Sequence, residues 1–139
     1  MLTKAADENK EATRPSWESR RSDFEQYVSD PELTAEGNDE LGPLNEYVLS
    51  VDEVEPHTFC RCDQESPADD CGDLGGYGRI QISYGGPSEE IRIFRTGRFE
   101  RRIEFWRLDW FVGAHIDITD DPVAKWVVDY FDATPAAIH

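Results

Sequence analysis

The stretch from Tyr77 to Ile118 constrains the fold most, because its apolar residues recur at every second position in runs separated by turn residues. In YGRIQISY, Ile80, Ile82 and Tyr84 share one side of an extended chain, and in EEIRIF, Ile91 and Ile93 do. The YGGPSE segment between these runs reads as a hairpin connection. RTGR reads as a second tight turn, with Gly97 expected at a positive φ. Further on, Ala114, Ile116 and Ile118 face one way and His115 and Asp117 the other.

One run changes phase. In FERRIEFWRLDWFV, Phe99, Ile103 and Phe105 share one parity, whereas Trp106, Leu108, Trp110 and Val112 share the other. A regular strand cannot do this with a single buried face. Either a β-bulge lies near Phe105-Trp106, or both faces of the sheet are covered there.

Helical patterns flank the strands. Pro15 and Ser16 mark a helix start and Asp30-Pro31 a stop, with Trp17, Phe24, Tyr27 and Val28 on one stripe. Residues 1–14 are polar without periodicity and are expected to be a mobile tail. The 32–43 segment, ELTAEGNDELGP, reads as an acidic loop or linker whose only core positions are Leu33 and Leu41. Tyr47, Leu49 and Val51 alternate as the first strand. Near the C-terminus, Asp121 is placed to cap a helix with Pro122 in its first turn. Its apolar stripe is expected from Val123, Trp126, Val127 and Tyr130, widened by Ala124, Val128 and Phe131. The expected fold is α+β: one domain over residues 15–139, with a mainly antiparallel sheet of about five strands, an N-terminal amphipathic helix and a buried C-terminal helix.

Charge narrows the function. Thirty acidic against fourteen basic residues give a net charge of −16. Residues 1–75 account for −14 of it, and residues 76–139 for −2. Such a field opposes nucleic acid and anionic membranes and favours a basic partner. Only three of the bases are lysine, so a GC-rich or saline background is a competing origin for the acidity. No apolar run reaches membrane length, and the N-terminus lacks the apolar region of a secretory signal, so the expected location is the cytoplasm of a cell or of an infected host.

The segment HTFCRCDQESPADDCGDLGG, residues 57–76, contains all three cysteines. His57, Cys60, Cys62 and Cys71 form a candidate zinc set, since three thiolates and a neutral imidazole suit tetrahedral zinc. Their H-x2-C-x-C-x8-C spacing departs from paired C-x2-C knuckles, and the same residues read equally as plain thiols or as a Cys62–Cys71 disulfide. The arginine-rich hairpin 91–107 carries six arginines and two glutamates among aromatic residues. That composition is shared by stacking surfaces for single strands and by ordinary amphipathic strands whose arginines pair with acids. His115 and Asp117 could form an acid–base or metal pair, but no nucleophile, phosphate loop or second histidine pair accompanies them.

The leading expectation is therefore a small, non-enzymatic, cofactor-free binding protein that engages a basic protein. In size, charge and lack of catalytic motifs the chain resembles in kind the phage or plasmid inhibitors that mimic DNA, and the immunity proteins that neutralise toxins. That likeness implies a nuclease or another nucleic-acid-binding protein as partner. The carboxylates expected to bind it are Asp52, Glu53, Glu55, Asp63, Asp69, Asp70 and Asp73. The alternative is a zinc-stabilised regulatory or adaptor domain whose acidity is compositional.

Overall fold

The computed structural model describes residues 2–54, 76–85, 87–97, 99–109 and 112–135. Among the described residues four helices and five strands follow one another: α1 (Leu2–Ser29), α2 (Pro31–Glu36), α3 (Leu44–Tyr47), β1 (Ser50–Val54), β2 (Tyr77–Ser83), β3 (Ser88–Arg95), β4 (Arg101–Asp109), β5 (Val112–Asp117) and α4 (Pro122–Tyr130). The strands form one antiparallel meander in the order β1-β2-β3-β4-β5. The fold is α+β, as the alternating runs and flanking helical stripes require.

Register explains the phase change. Phe105 pairs with Ile91 on one side and Ile116 on the other, while Trp106 pairs with Glu90 and His115. The register of β4 is unbroken to both neighbours, and Phe105 and Trp106 are both buried, so both sheet faces bury side chains there. The irregularity instead lies in β2, between Gln81 and Ser83. One face carries Ile80, Ile91, Ile93, Ile103 and Phe105 into the core beneath α1, where Trp17 meets Phe105 with ring centroids 5.4 Å apart. On the other face a charged row crosses all five strands: Asp52, Arg79, Arg92, Glu104 and Asp117.

Several expectations are corrected. α1 does not start at Pro15 but runs from Leu2, with Pro15 inside it, so residues 2–14 are helical. Its buried stripe continues N-terminally through Thr13 and Asn9, in steps of four residues from Trp17. Those positions are polar, so hydrophobic periodicity does not register them. Thr13 Oγ1 donates to the Asn9 carbonyl, and the Asn9 amide donates to the carbonyl of Arg107 on β4. Val28, placed on the stripe, is exposed.

The 32–43 segment opens with α2. Asp30 caps it by accepting from the amides of Glu32 and Leu33, and Gly37 ends it at φ 75°, a conformation costly for any side chain. The segment is fastened to α1, since Thr34 Oγ1 donates to the Tyr27 carbonyl and the Tyr27 hydroxyl to the Gly42 carbonyl. Leu33 is buried and Leu41 packs against the core. Tyr47 belongs to α3, not to a strand; β1 begins at Ser50. Gly97 does not adopt a positive φ; Thr96 and Gly97 both donate to the Glu100 carbonyl.

α4 starts as its sequence dictates, with Asp121 accepting from the Val123 amide and Pro122 in the first turn. Its buried residues are Val123, Ala124, Val127 and Val128; Trp126 is half-buried and Tyr130 exposed, so the stripe is rotated from the expected one. Beyond α4 the chain passes so close to β2 that a Cβ on Gly78 would lie 1.8 Å from the Ala133 carbonyl oxygen. Only glycine fits there.

Candidate protein-binding surface

The acidic surface is assembled from α2, α3 and β1. α2 packs on α3, which leads within two residues into β1. Residues 30–54 hold Asp30, Glu32, Glu36, Asp39, Glu40, Glu46, Asp52 and Glu53, with no lysine, arginine or histidine, and all eight acids are exposed. Among the described residues, Glu32, Glu36, Asp39, Glu40, Glu46 and Glu53 have no ion-pair partner. Asp30 is engaged as the α2 cap. Asp52 is held by Arg79 through two bonds, Nε to Oδ1 at 3.0 Å and Nη2 to Oδ2 at 2.7 Å, and these bonds lower its pKa.

α3 is anchored by a polar cluster at the rim of this surface. The Tyr47 hydroxyl donates to Asp23 at 2.6 Å and accepts from Arg20, whose Nε also donates to Glu89 at 2.7 Å. Burial, together with the bond to Asp23, pushes the Tyr47 phenol well above its usual pKa. It therefore acts as a fixed neutral donor, and Phe24 and Tyr27 pack edge-on against its ring.

Of the seven carboxylates expected to bind a partner, Asp52 and Glu53 lie exposed on β1. Glu55, Asp63, Asp69, Asp70 and Asp73 fall outside the described residues, as do His57, Cys60, Cys62 and Cys71. Among the described residues no three His, Cys, Asp or Glu side chains are grouped to hold a metal ion. The carboxylates of α2, its following turn and α3 were not singled out by reasoning from sequence. Their signal was the run from Ser22 to Val54, which has ten acids and no base.

The arginine hairpin is largely occupied by internal partners. Arg92 donates to Glu90, Arg102 to Glu104, Arg101 to Asp129, Arg95 to the Pro135 carbonyl and Arg107 to the side chain of Asn9. The aromatic rings are engaged as well: Arg92 stacks over Trp106 and Tyr77, and Arg102 over Phe94. Among the described residues these contacts are those of amphipathic strands whose arginines pair within the fold.

His115 and Asp117 share a face but not a hydrogen bond. The His115 ring stacks on Trp106 at 4.4 Å, and its Nε2 lies 3.7 Å from Glu104. Asp117 accepts from the Thr119 amide at 2.8 Å, and its bonds with Thr119 lower its pKa. An open cleft of about 590 Å³ beside it sets Arg14, Arg101 and Arg102 against Asp117, Asp120 and Asp121. Asp121 is engaged by Arg21 and Arg101 by Asp129, so much of the cleft's charge is neutralised within the fold. Among the described residues no helix is long and apolar enough to cross a membrane. No protein-family model, no curated protein and no solved structure matches the chain.

Proposed function

We propose that the chain is a small, non-enzymatic binding protein whose acidic α2–α3–β1 surface engages a basic protein partner, a nuclease or other nucleic-acid-binding protein that it inhibits by occupying a site built for phosphates. The observation that carries this reading is the set of eight exposed carboxylates over residues 30–54 with no base among them. Fixed negative charges on a folded surface steer a basic partner as phosphates do, and the interaction inherits the salt dependence of nucleic-acid binding.

The test compares the native chain with a Glu32→Gln, Glu36→Gln, Glu40→Gln, Glu46→Gln variant. Partners are captured from host lysate at low and moderate salt, and kon is measured for each. The native chain should retain a basic nucleic-acid-binding protein and displace its nucleic acid. The variant should associate about tenfold more slowly at low salt, with a smaller difference at moderate salt. Equal kon for the two chains would assign the acidity to solubility.

A further inference from the structure

β1 is an edge strand, paired by β2 on one side and by no described strand on the other. Ser50, Val51, Asp52 and Glu53 are exposed, as is the preceding Leu49 at 58%. An edge strand presents unpaired N–H and C=O groups, and proteins usually blunt it with lysine, proline, a bulge or a covering element. β1 contains neither lysine nor proline, and its register with β2 is regular. The opposite edge strand, β5, has α1 packed against it.

What β1 does carry is acid on both of its faces. Asp52 and Glu53 are neighbours, so they point to opposite sides of the sheet, and Glu46 precedes them on α3. Two copies pairing antiparallel through β1 about Asp52 would set that carboxylate against its own counterpart. Like charges in direct cross-strand pairs are destabilising. The same two carboxylates favour a strand with lysine or arginine opposite them, and Val51 offers such a strand an apolar contact.

Resting on the acidic-surface reading, we infer that β1 is the docking edge: an extended, basic segment of the partner adds alongside Ser50–Val54 as a sixth strand. Main-chain hydrogen bonds would supply affinity, and Asp52 and Glu53 would select basic side chains. Asp52 would share its charge between Arg79 and the incoming residue, while Glu53 is unencumbered.

The experiment titrates the full isotope-labelled chain with two octapeptides of equal charge, one alternating lysine with threonine and one alternating lysine with proline. Proline supplies no N–H and does not continue a paired strand. The lysine–threonine peptide should bind about tenfold more tightly, shift the amide signals of Leu49–Val54 and slow their exchange with solvent. Equal binding of both peptides, with β1 amides unprotected and shifts confined to α2 and α3, would overturn the docking edge while leaving the acidic surface as the binding site. Binding of neither peptide would overturn both.

Discussion

The guanidinium of Arg92 lies over the indole of Trp106, 4.0 Å from the ring centroid, while its Nε donates to Glu90 at 2.7 Å. All three side chains are buried, and Arg92 Nη1 has no hydrogen-bond partner among the described residues. Removing one member of a buried ion pair strands the other charge. Arg92→Leu should therefore cost about 3–5 kcal/mol in urea denaturation, and adding Glu90→Leu should recover most of the loss. A single variant within about 0.5 kcal/mol of native would show that the pair is solvated.

Asn9 links the two ends of the fold, donating to the Arg107 carbonyl and accepting from its guanidinium. Asn9→Ala should destabilise by about 1–3 kcal/mol, the cost of leaving buried polar groups unpaired. The same substitution in a detached tail would change stability by less than about 0.5 kcal/mol. Chemical denaturation of the full chain decides between them.

Phe105 is fully buried between Trp17 and the Ile91 and Ile116 rows, whereas Trp126 is half-buried and stacks on exposed Tyr130. Phe105→Ala should cost about 3–5 kcal/mol and Trp126→Ala roughly half of that, because a cavity forms only where no solvent can enter. Equal losses would place Trp126 in the core after all.

Stability should fall as pH drops through the acid range. Asp52 and Asp117 have lowered folded pKa values, set by Arg79 and Thr119. Their contribution is complete above the unfolded carboxylate pKa, about 4, and is lost as pH drops through the lower folded values, so Tm then falls. A variant with Asp52→Asn and Asp117→Asn whose Tm drops as steeply over the same acid range would show that these two carboxylates do not carry the loss.

Sheet, hairpins and α4 were legible because alternation and capping are local: Ile80, Ile91, Ile103 and Asp121 stand where their spacing puts them. The start of α1 was not, since its buried stripe continues through polar side chains: Thr13 is satisfied by the Asn9 carbonyl, and Asn9 by Arg107 on β4. Tertiary partners overrode composition there. The phase change at Phe105-Trp106 was legible as a fork, and strand register chose the branch. Of the acids on α2, α3 and β1, Asp52 and Glu53 were legible, whereas the others lie in a base-free run with no motif spacing to mark them.

α1 rests on β4 and β5, yet nearly a hundred residues separate Asn9 from Arg107. On the ribosome the helix emerges well before these strands. Phe24 and Tyr27 can meet Tyr47 early, but Trp17 has no Phe105 to lie on until β4 clears the exit tunnel. The nascent chain thus carries an incompletely covered helix face while the sheet is being made, a natural substrate for a chaperone.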